Sequence, residues 1–134
     1  EQQPNVPAGW ITSYDGALEL AKKEDRPILI NFTGSDWCGW CKKMDKETYS
    51  QSAFENYAKN NLVLLYVDFP SGKPQTSALE KQNDSLKSKF GVRGYPTQVL
   101  LSPDGKLLWK NPGYLKGGPG ALISNIKQAT AGKS

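Results

Sequence analysis

Histidine is absent from the chain, and cysteine occurs only twice, at Cys38 and Cys41. The first absence excludes His-based catalysis and most zinc chemistry. The second leaves no structural disulfide framework, and a four-ligand zinc site would need two more Cys or His than exist. No apolar run approaches the length of a membrane span, and no signal-peptide pattern is present. The chain begins at Glu1 rather than Met, as expected where an exporting segment has been removed. The 17 basic residues exceed the 13 acidic ones, giving a net charge of +4, but the lysines are scattered. A solvated surface is therefore expected rather than a nucleic-acid footprint. No metal and no cofactor is expected.

What is present fits one domain. A chain of 134 residues, 37% apolar and 22% charged, can bury a core without disulfide staples. Residues 1–13, with Pro4, Pro7 and Gly9, read as an extended arm, and residues 14–134 as the domain. From Thr12 the pattern is helical, with Tyr14, Ala17, Leu18 and Ala21 on one face and Thr12 and Asp15 placed for a capping box. Pro27 ends that helix. The apolar run Pro27 to Thr33 has the signature of a strand buried on both faces. Gly34-Ser35-Asp36 turns it into a helix carrying the cysteines. The helical pattern breaks at Tyr49-Ser50-Gln51 and restarts at Ser52 with a second capping box to Glu55, so a kinked or two-part helix is expected. Leu62 to Phe69 reads as a second buried strand. A polar helix over 75–90 follows, with Leu79, Leu86 and Phe90 inward. Ser102-Pro103-Asp104-Gly105 joins two hairpin strands, and Pro119 falls in the first turn of a last helix. The order implies an α/β fold with a central mixed sheet and helices on both faces.

The chemistry concentrates in Trp37-Cys38-Gly39-Trp40-Cys41-Lys42-Lys43. Residues three apart on a helix lie about 5–6 Å apart on one face, within reach of a disulfide. At the helix start, free backbone N–H groups and the positive dipole end favour a Cys38 thiolate, with Lys42 and Lys43 adding charge. Cys41, one turn in, is expected to be more buried and to resolve a mixed disulfide. So short a loop gives the disulfide little entropic support, which argues against a purely structural bridge. Trp37 is expected packed and Trp40 exposed as an apolar contact surface. Tyr95-Pro96 stands at the mouth of the third buried strand, where Pro96 is either an ordinary strand-start proline or a cis residue facing the cysteines. Asn31-Phe32-Thr33 and Asn83-Asp84-Ser85 match glycosylation sequons, the first accidentally, since it falls in a buried strand.

These residues, with Ile28 to Phe32, Gly94-Tyr95-Pro96-Thr97, the Asp104-Gly105 hairpin and Gly113, occur in the order of the thioredoxin superfamily, which the chain resembles over roughly residues 14–131. Phe32-Thr33-Gly34-Ser35-Asp36-Trp37 and Lys42-Lys43-Met44-Asp45 are most similar to bacterial exported thioredoxin-like proteins and to the C-terminal domain of the disulfide interchange protein DsbD. The resemblance implies a thioredoxin-like fold, Cys38 as nucleophile, Cys41 as resolving thiol, and a cis Pro96 lining a partner groove with Trp37, Gly39, Trp40 and Tyr95. It implies protein disulfides and a redox partner protein as partners and a periplasmic or exported setting, with the cytoplasm left open; no nucleic acid and a monomer are expected besides. Two departures stand out. Asn31 occupies the place of the family's buried Asp, and Leu64 or Leu65 stands near the place of the accompanying Lys. Asp45, four residues after Cys41, is the candidate substitute proton acceptor. The expected activity is thiol–disulfide exchange, favoured as net reduction. An oxidase or isomerase, or a non-catalytic peptide-binding module, is the alternative. A thiol peroxidase fits poorly, because those rely on a Thr or Arg near a lone reactive cysteine.

Overall fold

Strand β1 (Ile28–Thr33) is buried at every position, as its unbroken apolar run requires, and it sits inside the sheet. The computed structural model describes residues 6–131. In it β1 pairs in parallel with β2 (Val63–Asp68) and antiparallel with β3 (Thr97–Leu101). Strand β4 (Leu107–Pro112) extends the sheet to the order β2-β1-β3-β4. Helix α1 (Tyr14–Glu24) precedes β1, α2 (Gly39–Met44) and α3 (Ser52–Asn61) separate β1 from β2, α4 (Ser77–Lys89) leads to β3, and α5 (Gly118–Thr130) ends the chain. The mixed sheet expected from the element order is the one observed.

Alternation along the strands divides the core into two layers. Ile28, Ile30 and Phe32 pack with Val63, Leu65 and Val67 against Ala17 and Ala21 of α1 and Leu86 of α4. On the other face Leu29, Leu64, Tyr66 and Leu100 pack against Met44, Phe54, Leu122 and Ile126, from α2, α3 and α5. The cysteine helix therefore lies over the face to which Leu29, and by alternation Asn31, point.

Several local expectations are corrected. Ser13, not Thr12, caps α1, its Oγ accepting the Gly16 N–H at 3.0 Å, because the helix starts one residue later than expected. Helix α3 forms without its capping box: Gln51 is the N-cap and makes no side-chain cap bond, leaving Ser52 inside the first turn. The break between α2 and α3 is a π-helical turn over Asp45–Tyr49. The arm is bound to the fold at its far end. Ile11 bridges Leu65 in parallel, with Ile11 N donating to Leu64 O at 2.9 Å and Tyr66 N to Ile11 O at 2.8 Å. Trp10 is 3% exposed, its ring 5.2 Å from that of Tyr49. One large aromatic outweighs the sparse apolar content of its neighbours. Residues 1–5 of the expected arm lie outside the described residues.

Candidate active site

Strand β1 delivers the chain to Gly34, where a Cβ would collide with the Trp37 indole. The Trp37 and Cys38 N–H groups both donate back to Gly34 O, at 3.2 and 2.9 Å, reversing the strand into α2 with Cys38 as its N-cap. Cys38 and Cys41 form a disulfide with their Cα atoms 5.2 Å apart, inside the range their spacing sets. The Cys38 Sγ also accepts the Cys41 N–H at 3.2 Å, so the sulfur serves as the helix cap. A cap that accepts a backbone N–H is stabilised further by negative charge, which favours a thiolate at this position over one at Cys41. Cys38 is 6% exposed and Cys41 1%. The order is the expected one, but Cys38 is less open than a helix-mouth position suggests, because its bond to Cys41 ties its sulfur to a buried neighbour.

Both tryptophans beside the cysteines are exposed, Trp37 by 48% and Trp40 by 57%. The expectation that Trp37 is packed is thus corrected. Its Nε1–H donates to Phe69 O at 2.7 Å and its ring meets Tyr95 edge-on at 5.6 Å, so the indole is anchored without being covered. Trp40 leans on Tyr114 with centroids 5.2 Å apart. Gly39 is exposed. The Tyr95–Pro96 peptide bond is cis. Tyr95 is half-buried and Pro96 buried, so at this corner the accessible chain is Arg93-Gly94-Tyr95 and not the proline ring.

The segment before the cysteines is tied to the end of β2 and the loop after it. Ser35 donates to the Asp68 carboxylate twice, from N at 2.8 Å and from Oγ at 2.6 Å, and Lys73 Nζ donates to Ser35 Oγ at 2.9 Å. Asp36 accepts the Ser71 and Gly72 N–H groups at 3.0 and 2.7 Å, and these bonds hold its carboxyl below the usual range. With the Trp37 bond, three consecutive residues hold the loop at 68–72. Such pairing joins positions some 35 residues apart, so no local pattern announces it; the only hint is an acid, Asp68, closing an apolar strand.

Beneath α2 the sheet carries a polar row. The register sets Asn31 opposite Tyr66 on one side and Gln98 on the other. Tyr66, and not Leu64 or Leu65, therefore stands beside Asn31. Leu64 does share its face but lies two residues back, and Leu65 points to the opposite layer. Gln98 Nε2 donates to Met44 Sδ at 3.4 Å, and its Oε1 accepts from Asn111 at 2.8 Å. Asn31 Oδ1 is buried without a partner among the described residues.

Asp45 opens the π-helical turn, its N–H donating to Cys41 O, which places it one turn beyond Cys41. Burial, and then the Asp68 charge, push its carboxyl up to about 6. Burial, Asp68 and Asp45 together push the Tyr66 phenol far up. A carboxyl that titrates near neutrality is suited to exchanging a proton with a thiol. Among the described residues no group of Asp, Glu and Cys could hold a metal ion, and no helix is long and apolar enough to cross a membrane. Asn83 is buried, its Nδ2 donating to Asp68 O at 3.1 Å, so both sequon asparagines are buried.

A family model described as a thioredoxin-like domain matches residues 14–121. The chain is 38% identical over 117 residues to the disulfide bond reductase DsbH of Chlamydia pneumoniae, covering 87% of this chain and 70% of that protein. It is 33% identical over 101 residues to the thiol:disulfide interchange protein DsbD of Pectobacterium atrosepticum, spanning 75% of this chain but only 15% of DsbD. A solved structure of a DsbH oxidoreductase superposes with a TM-score of 0.84 at 35% identity, covering 98% of this chain and 91% of that one. With the sheet order, the capped cysteine pair and the cis peptide bond all inside the matched stretch, the chain belongs to the thioredoxin-like family.

Proposed function

We propose that this protein is a thiol–disulfide oxidoreductase that works as a reductase of protein disulfides. The observation that carries the proposal is the Cys38–Cys41 disulfide at a helix N-cap, where the Cys38 sulfur accepts the Cys41 N–H. In the reduced protein the Cys38 thiolate attacks one sulfur of a partner disulfide. A mixed disulfide forms, and the partner's other sulfur leaves as a thiolate. Cys41 then gives its proton to Asp45 and attacks the Cys38 sulfur, releasing the second partner thiolate. The partner gains two electrons, and the pair returns to the disulfide form. A redox partner protein then reduces the pair again.

Trp37, Gly39, Trp40 and Tyr95 form the contact surface for the partner segment, with Pro96 fixing the chain beneath it. The reducing direction is supported by similarity to a protein named a disulfide bond reductase. A periplasmic or exported setting and a monomer complete the proposal; the setting is supported by the likeness of Phe32 to Trp37 and Lys42 to Asp45 to exported thioredoxin-like proteins.

The test is reduction of insulin coupled to a thiol donor, with the glutathione equilibrium of the cysteine pair measured beside it. The wild type is expected to reduce insulin, Cys38→Ser to lose that activity, and the pair to be more reducing than glutathione. Insulin reduction that survives in Cys38→Ser refutes the site, and a pair more oxidising than glutathione refutes the direction.

A further inference from the structure

Two aromatic groups flank the disulfide, and each carries its own ammonium. On one side Trp37, Tyr95 and Phe69 form a chain of rings, the last two 5.3 Å apart, with Lys87 Nζ 5.7 Å from the Tyr95 centroid and 5.8 Å from that of Phe69. On the other, Lys43 Nζ lies 5.3 Å from the ring centroids of both Trp40 and Tyr114. Neither lysine takes part in an ion pair among the described residues, where Glu24 and Arg26 make the one that forms.

No acid forms an ion pair with either lysine among the described residues, and the carboxylates about the site are engaged by other groups. Asp36 is committed to the backbone of Ser71 and Gly72, Asp68 to Ser35, and Glu47 to the Tyr114 hydroxyl. The groove beside the cis peptide continues the same sign: the charged residues that line it are Arg93 and Lys110, with no acid among them. Basic side chains thus stand beside the exposed aromatic surface, although the lysines are scattered in the sequence.

An ammonium held over a ring face is partly stripped of water, so a carboxylate meeting it there gains more than one meeting a free surface lysine. The rings supply apolar area for the neighbouring side chain. From this geometry we infer the substrate class: protein segments that carry acidic side chains on either side of the reacting cysteine. Lys43 reads the side next to Trp40, and Lys87 the side next to Trp37. The inference rests on the redox reading above and adds specificity to it.

The probes are symmetric disulfide dimers of a heptapeptide with a central cysteine flanked on both sides by Glu, Gln or Lys. Each rate with the reduced protein is divided by the rate with dithiothreitol, which removes the intrinsic reactivity of each disulfide. At low salt the Glu dimer is expected to react about tenfold faster than the Lys dimer, and the ratio should fall to about twofold at half-molar salt. Lys43→Glu and Lys87→Glu are each expected to lower the ratio, and the double variant to bring it below one. A Glu-to-Lys ratio near one at low salt, or a ratio unchanged in the double variant, overturns the inference. The uncharged 2-hydroxyethyl disulfide separates the two levels. If the wild type reduces it without any peptide preference, only the specificity fails; if the wild type does not reduce it, the redox reading fails and takes the specificity with it.

Discussion

Replacing Asp45 by Asn separates the proton-accepting role from the fold, because Asn copies the shape of the protonated acid. The carboxyl is raised from 3.8 to about 6 by burial and by Asp68. A tenfold change in proton affinity corresponds to about 1.4 kcal/mol, so the full effect would be about 3 kcal/mol. Solvent still reaches part of the group, which reduces the expected value to about 1–2 kcal/mol. The sign follows from proton binding. Because the folded state holds the proton more tightly than the unfolded state, stability is highest below the unfolded value. It declines as pH rises through the interval from about 4 to 6, and the penalty is complete above it. Urea unfolding of the oxidised protein, followed by tryptophan fluorescence, should therefore show Asp45→Asn more stable than wild type at pH 7.5 by that amount and nearly equal at pH 4. Stopped-flow release of a preformed mixed disulfide provides the functional half. The wild-type rate should rise through an inflection near pH 6 as Asp45 ionises, whereas the variant should be slower by about a hundredfold and lack the inflection. A stability difference that does not change between pH 4 and pH 7.5 refutes the buried carboxyl, and an unchanged release profile removes Asp45 from the mechanism.

The remaining predictions concern what holds the site in place. Gly34→Ala drives a methyl into the Trp37 indole and loosens its bond to Phe69, so urea midpoints should report a loss of about 1–3 kcal/mol. Trp10→Ala should cost about 3–5 kcal/mol by the same measure, because its ring is packed among Tyr49, Phe54 and Tyr66. A neutral result there would mean that the segment at 10–11 is dispensable to the domain.

The features legible in the sequence are those fixed by neighbours along the chain. An apolar run of strand length reads as a buried strand, two cysteines three apart at a helix start read as a disulfide, and Asp104-Gly105 reads as a hairpin turn. Boundaries set by competition between adjacent residues are less legible. Ser13 and Thr12 can both cap a helix, and only the backbone entering α1 decides between them. What stays hidden depends on register and on contacts between distant segments. Shifting β2 by one residue would change which layer Tyr66 faces, so Leu64 and Leu65 are as plausible in sequence beside Asn31 as the residue that stands there. The bonds from Ser35, Asp36 and Trp37 to the loop at 68–72 likewise have no sequence period. Trp37 shows the limit most directly: an indole that is both hydrogen-bonded and half exposed matches neither the core pattern nor the surface pattern.

The polar row under α2 and the acid above it belong to one arrangement. Asn31 cannot ionise, so the sheet beneath the cysteines holds no charge that would oppose a thiolate at Cys41. The ionisable groups are instead at the edge of the row, Asp45 on the π-helical turn and Asp68 at the end of β2, with Tyr66 close enough to feel both. The two acids are held differently. Asp68 accepts two bonds from Ser35, whereas burial and the Asp68 charge are what act on the Asp45 carboxyl. Burial near a like charge favours the protonated form, which is what raises the Asp45 carboxyl. The bonds from Ser35 to Asp68 also tie the cysteine loop to β2. A single serine three residues before Cys38 in this way links the cysteine loop to the acid whose charge acts on Asp45.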